Sequence, residues 1–317
     1  LNLLFVTATR IGDAVLSTAL LGHLLDRHPD ARVTIACGAP ARGLFTALPG
    51  LTRIIVLEKR RLAGHWFGLW AAVAGTRWDV AVDLRGSLLT SFLIRGRAIV
   101  DRHAHPAIHR VEELAQLVGA TPPPAPRLWL GDAHRTRAAA LLPDGAPVLA
   151  LAPAANWGPK TWPIERFVDL ARRLTAPGSA LADARVLIVA APSERAQVAP
   201  LVEAIAPVRR IDLSGGGDLL DVAACLARAR LFVGNDSGLM HLAAASGAPT
   251  LGLFGPSPER RYGPWGADTA LVRTPESFET LMARVRAGEA GAGAMMASLS
   301  VDAVEAAALA LIARTRR

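Results

Sequence analysis

Three stretches of the sequence bring together residue types suited to handling a negatively charged ligand, and each directly follows a short apolar run. The first is Arg10-Ile11-Gly12-Asp13, which leads into the apolar segment from Ala14. A carboxylate at a helix start either caps the helix through its orphan N–H groups or takes a proton from an attacking hydroxyl as a general base. The second stretch runs from Pro153 to Pro163 and carries Lys160, a compact point charge able to reach phosphate or to remain solvated at the surface. Its Trp157 and Trp162 read as packing residues. The third is Gly234-Asn235-Asp236-Ser237-Gly238-Leu239-Met240-His241. If a helix opens near Ser237, its free backbone N–H groups make an anion site, Gly238 admits a close diphosphate and His241 donates from one turn further in. Asp236 and Ser237 are equally good helix caps. Glu194 stands at another such junction, where its two oxygens can hold ribose hydroxyls or complement the dipole of the following helix.

These residues need a scaffold that delivers loops to one edge. Short apolar runs at Leu3–Val6, Val33–Cys37, Ile54–Leu57 and Val80–Leu84 alternate with helix-period segments such as Ala14–His28. This is the pattern of parallel sheets covered by helices. The stretch ATPPPAPR at 120–127, a charged helix candidate and the turn-rich LPDGAP read as a hinge. Alternation then resumes with runs at Val148–Ala152, Val186–Ala190, Leu231–Val233 and Thr250–Phe254 and helices at Ile164–Leu174, from Glu194 and near Gly238. Two Rossmann-like βα domains are expected, 1–145 and 146–299. The Gly-, Ala- and Met-rich stretch 286–298 is expected to connect flexibly into a last helix at Val301–Ala313. In such sheets ligands bind beyond the carboxyl ends of the strands, where all these candidates stand.

Composition narrows the classes. The 317 residues are 51% hydrophobic and 20% charged, with a net charge of +8, ample for real cores and favourable to anionic partners. The aromatic residues are scattered and no basic stripe interleaves with them, so no nucleic-acid partner is expected. No apolar run reaches the length of a membrane span, and Leu1 opens on a strand-like run without a secretory signal pattern. Two isolated cysteines, Cys37 and Cys225, exclude a disulfide framework and fit a cytoplasmic setting. Neither a Walker A loop nor G-x-G-x-x-G after the first strand occurs, which argues against P-loop NTPases and typical dehydrogenases. No Asp-x-Asp pair for a divalent ion is present, and no metal or cofactor is expected.

Taken together, IGDAVLSTALL at the start, PKTWPIERFVDLARRL in the middle and GNDSGLMHLAAASGAPTLGLFGPSPERRYGPWG near the end resemble glycosyltransferase family 9, the heptosyltransferase group of lipopolysaccharide synthesis. The resemblance implies an α/β GT-B fold, two Rossmann-like domains facing a central cleft, with the last helix (300–317) packing back on the N-terminal, acceptor-binding domain. It implies inverting, metal-independent transfer of a sugar, commonly heptose from ADP-L-glycero-D-manno-heptose, to a lipopolysaccharide core-type acceptor at the cytoplasmic face of the inner membrane. By the same resemblance Asp13 is the base and Lys160 neutralises the donor phosphate. Asn156, Glu194, Asp236, Ser237, Gly238 and His241 bind the nucleotide sugar. Asn156 stands with Ala155 where lipopolysaccharide heptosyltransferases often carry hydroxyl residues. Arg10, Arg60, Arg61 and Arg85 are the candidates for an anionic glycolipid or glycan acceptor. Two alternatives remain open from sequence: the same fold with another nucleotide sugar or a non-lipid acceptor, and a nucleotide-sugar binding protein without turnover.

Overall fold

Runs such as Leu3–Val6 and Val148–Ala152 have no polar residue to place toward water, so they are stable only where helices cover both faces of a sheet. In the computed structural model, which describes residues 1–58, 64–102, 105, 107–289 and 294–315, they form the inner strands of two parallel sheets. The chain divides into two units, Leu1–Gly131 and Asp132–Arg317.

The first unit comprises Asn2–Val6 (β1), Ile11–Arg27 (α1), Arg32–Cys37 (β2), Leu51–Val56 (β3), Gly64–Val73 (α2), Trp78–Asp83 (β4), Arg95–Val100 (β5) and Arg110–Gln116 (α3). Its strands lie in the order β3-β2-β1-β4-β5, all parallel, with Val6 in register with Ala36 on one side and Asp83 on the other. The winding reverses between β1 and β4, which makes their carboxyl ends the switch point of this sheet. Gly38 after β2 lies against the loop after β1: a Cβ there would come within 2.6 Å of Thr9 Cα.

The second unit comprises Asp132–Leu141 (α4), Val148–Ala152 (β6), Ile164–Leu174 (α5), Arg185–Ala190 (β7), Arg195–Ala204 (α6), Arg210–Ser214 (β8), Leu219–Leu226 (α7), Leu231–Asn235 (β9), Gly238–Ala245 (α8), Thr250–Phe254 (β10), Glu259–Tyr262 (α9), Thr269–Arg273 (β11), Phe278–Arg286 (α10) and Val301–Arg314 (α11). The order is β11-β10-β9-β6-β7-β8, again parallel, and the reversal falls between β6 and β9. Every residue of β6, β9 and β10 is buried. Trp162 is fully buried edge-on to Phe167, ring centroids 4.9 Å apart, and its Nε1 donates to the carbonyl of Leu299 at 2.9 Å.

Three expectations about domain organisation change. The boundary lies at Gly131/Asp132 rather than near residue 145, because α4 packs on α7 and Arg137 makes a two-pronged bond to Asp221 at 2.7 and 2.8 Å. The proline-rich stretch before it is anchored to the first unit: the Arg127 amide donates to Thr18 Oγ1 at 3.0 Å. The last helix, expected on the first unit, takes its core contacts from the second. Val304, Ala308 and Leu311 of α11 sit in the core of the second. Arg173 on α5 reaches Asp302 and Glu305, and Arg230 donates to the carbonyl of Ile312. Ahead of α11, Met295 and Met296 are buried, which ties down the end of the stretch expected to be flexible; residues 290–293 of that stretch lie outside the described residues.

Candidate functional site

In the second unit the switch point gathers the sequence candidates. The chain leaves β6 at Ala152 and enters the loop 153–163, while β9 ends at Asn235 and α8 starts at Gly238. Since β6 and β9 are neighbours, the two connections emerge side by side. Asn235, fully buried, joins them: its Nδ2 donates to the Pro153 carbonyl at 2.7 Å and its Oδ1 accepts from the Trp162 amide at 3.1 Å. Next to it Lys160 Nζ meets Asp236 Oδ2 at 2.5 Å. The carboxylate is 6% exposed and the ammonium 23%, so the lysine keeps access to solvent while its partner is fixed beneath it.

Ser237 is the N-cap residue of α8, with extended backbone (φ −151°, ψ 172°) and no side-chain capping bond. The first-turn amides of α8 therefore have no partner within the helix and carry its positive end. Gly238 is half-buried at its first position and His241 is buried one turn in. Met240 fixes the seating of this helix on the sheet, because a Cβ at Gly252 in β10 would lie 2.5 Å from its sulfur.

Glu194 stands at the end of β7, one strand further along. Its Oε2 accepts from the Ala191 amide at 3.0 Å, so this carboxylate does cap its own turn, and the second oxygen is left for another donor. Asn156 is exposed on the β6 loop. Sequence reading passed over Asn235 as an organiser and over a set of hydroxyls. Among the described residues, Thr161 Oγ1, Ser237 Oγ and Ser257 Oγ are buried without a hydrogen-bond partner, all in connections at the carboxyl edge. The signal available was a hydroxyl residue soon after a buried strand.

The first unit places Asp13 in the first turn of α1, half-buried, three residues after the N-cap residue Arg10. Arg10 is exposed and makes no side-chain capping bond. Thr7 and Ser17 hydroxyls, 2.7 Å apart, tie the loop after β1 to α1. On the other side of this switch point is a group that sequence reading missed. Asp83, the last residue of β4, is fully buried, and its carboxylate accepts from the Arg85 amide at 2.9 Å and from the Ser87 hydroxyl. Burial raises its pKa above the ordinary aspartate value, and the hydrogen bonds from Ser87 and Arg85 offset only part of that. Its sequence signal was weak, an Asp one residue before the end of the run Val80–Leu84. The Arg85 guanidinium lies 5.2 Å from the centre of the Trp66 ring. Arg60 and Arg61 lie outside the described residues.

The family model for glycosyltransferase family 9 (heptosyltransferase) matches residues 74–284. Lipopolysaccharide heptosyltransferase 2 of Escherichia coli K12 is 24% identical over 337 aligned positions, covering 92% of each chain. Lipopolysaccharide heptosyltransferase 1 of Pseudomonas aeruginosa is 30% identical over 69% of this chain and 68% of its own. Among solved structures, a family 9 glycosyltransferase from Veillonella parvula superposes with a TM-score of 0.79 at 22% identity, covering 99% of this chain and 98% of that one. An E. coli heptosyltransferase solved with ADP superposes at 0.70 and 19% identity, covering 96% and 98%. The likeness to these structures shows the fold, two parallel α/β sheets of the GT-B class.

Proposed function

Because the chain belongs to glycosyltransferase family 9, we propose that this transferase moves heptose from ADP-L-glycero-D-manno-heptose onto a lipopolysaccharide core-type acceptor, with inversion and without a divalent cation. The observation that carries the donor half is the Lys160–Asp236 pair at the β6/β9 switch point, beside the start of α8. Relatives named as lipopolysaccharide heptosyltransferases, and one solved with ADP, support the choice of sugar and nucleotide.

In this reading the acceptor oxygen attacks the anomeric carbon, the bond from that carbon to the diphosphate breaks, and the electron pair leaves on phosphate oxygen. Lys160, held in place by Asp236, and the first-turn amides of α8 with Ser237 and Gly238 are in position to stabilise that charge as it develops, so no reorganisation is needed at the moment of reaction. His241 donates to the same diphosphate, Asn156 contacts it from the β6 loop, and the free oxygen of Glu194 takes a ribose hydroxyl. Asp13 accepts the proton from the attacking hydroxyl. A single displacement inverts the anomeric centre.

Arg10 and Arg85 of the first unit, with Arg60 and Arg61, are assigned to an anionic, lipid-linked acceptor. That acceptor places the enzyme at the cytoplasmic face of the inner membrane as a peripheral protein. No described helix is long and apolar enough to cross a membrane.

The test is turnover of ADP-heptose by wild type and by Asp13→Asn, alongside ADP-induced thermal stabilisation of both. The variant should lose about 10²–10⁴-fold in rate while ADP still stabilises it. A variant with full activity removes Asp13 as the base. Product anomeric configuration tests inversion, and turnover in EDTA tests metal independence.

A further inference from the structure

α2 has no charged residue in its ten positions, GHWFGLWAAV. Leu69 and Val73 point inward to the core that also holds Leu4, Val6 and Leu93. The opposite side is equally apolar and faces outward: Phe67 is 70% and Trp70 38% exposed. The segment after β4 continues the same surface, with Leu88 67% and Phe92 68% exposed. Trp70 Nε1 donates to the Phe92 carbonyl at 3.1 Å, so the two segments are joined. Between them runs a groove of about 670 Å³. A helix apolar on all sides is normally buried, and a contiguous apolar patch on a protein surface marks a contact.

The charge around this patch says which contact. From 64 to 77 and from 84 to 100 the sequence has no acidic residue, while it has Arg77, Arg85, Arg95 and Arg97. Arg85 lies over Trp66, Arg95 Nε donates to the Thr90 carbonyl, and Arg97, two residues on along β5, is exposed. From β3 of the same sheet, Arg53 donates to the Ala72 carbonyl at the end of α2. Indole and phenyl side chains surrounded by cations match a bilayer interface, where aromatic rings settle at headgroup level and arginines meet anionic lipid. A second copy of this chain would bring the same positive ring to the patch and be repelled by it.

We infer that the face formed by α2 and residues 86–94 docks the protein on anionic phospholipid bilayers, with Phe67, Trp70, Leu88 and Phe92 entering the interface and the flanking arginines binding headgroups. This deepens the reading of a lipid-linked acceptor and takes its purpose from it, but the binding itself needs neither donor nor acceptor.

The experiment is co-sedimentation of the full chain with vesicles of phosphatidylcholine plus phosphatidylglycerol, and with phosphatidylcholine alone. Wild type should bind the anionic vesicles and release as salt rises. Phe67→Ser/Leu88→Ser/Phe92→Ser, all at exposed positions, should weaken binding about tenfold or more, with its ADP-induced thermal shift kept as proof of folding. Arg97→Gln, a single exposed change, should weaken it about fivefold. Failure of wild type to bind, equal binding by wild type and both variants, or a triple variant that changes only the sedimentation coefficient of a self-associated wild type would each overturn the inference. Loss of ADP binding by wild type with vesicle binding intact would instead defeat the donor reading alone.

Discussion

The Lys160–Asp236 pair yields an asymmetry that can be worked from its burial. Lys160→Ala leaves the Asp236 carboxylate, 6% exposed, without its cation in a place water scarcely reaches. Breaking a pair so that a buried charge stays behind costs about 3–5 kcal/mol. Asp236→Asn leaves the lysine, which is 23% exposed on a flexible stem and can turn to water. The asparagine Oδ1 can still accept from it, so the loss is at most that of a hydrogen bond to a charged group, about 1.5–3 kcal/mol. The second unit, 132–317, is in the size range where 1 kcal/mol moves a melting temperature by about 2–4 °C. Lys160→Ala should therefore lower its transition by roughly 6 °C or more, and Asp236→Asn by about half as much or less. Differential scanning calorimetry of the two variants and the double variant measures this directly. The double variant should recover part of the Lys160→Ala loss, because no unpaired carboxylate remains. Turnover separates the roles further: Lys160→Ala should cost about 10²–10³-fold and Asp236→Asn distinctly less. Equal thermal losses, a larger loss for Asp236→Asn, or a double variant worse than both would refute the assignment of Asp236 as the buried member that fixes the lysine.

Three further outcomes follow from other sites. Burial raises the Asp83 pKa in the folded state, so in the window above an ordinary aspartate's pKa the folded protein holds the proton more tightly than the unfolded chain, and its stability falls as pH rises. Urea unfolding of wild type and Asp83→Asn across that window should show the variant with a flatter pH dependence; identical slopes would refute it. Gly252→Ala should destabilise by about 1–3 kcal/mol, because the added carbon would come within 2.5 Å of Met240 Sδ, and should weaken ADP binding by displacing the start of α8. An unchanged ADP shift would separate that seating from the anion site. Burial pushes the Cys37 thiol up to about 12 and the Cys225 thiol up to about 11, so a thiol reagent at mildly alkaline pH should label neither in the native protein and both after denaturation. Rapid native labelling would contradict the buried placement.

The inner strands of both sheets were legible because a strand covered on both faces must be largely apolar, and β1, β2, β4, β6, β7, β9 and β10 each carry an apolar run of that kind. The strands that sequence reading missed, β5, β8 and β11, all lie at sheet edges. There one side meets water and residues such as Arg95, Arg97, Asp212 and Arg273 break the apolar signal. Helix starts beside Asp13 and Ser237 were legible for a local reason, since chain breaks and capping residue types act within a few positions.

What the amino-acid order could not state is which distant residues meet. Lys160 and Asp236 are 76 positions apart and touch only because β6 and β9 are neighbours. Asn235 organises the site only because β9 lies beside the β6 loop, and Asp83 becomes a buried carboxylate only because β4 lies beside β1. The last helix joined the second unit because that unit's sheet offered an uncovered face to its apolar stripe. Periodicity and local chemistry are written residue by residue and depend on near neighbours. Strand order, and with it burial and pairing, is a property of the whole packed sheet, so it was decided only when the chain folded.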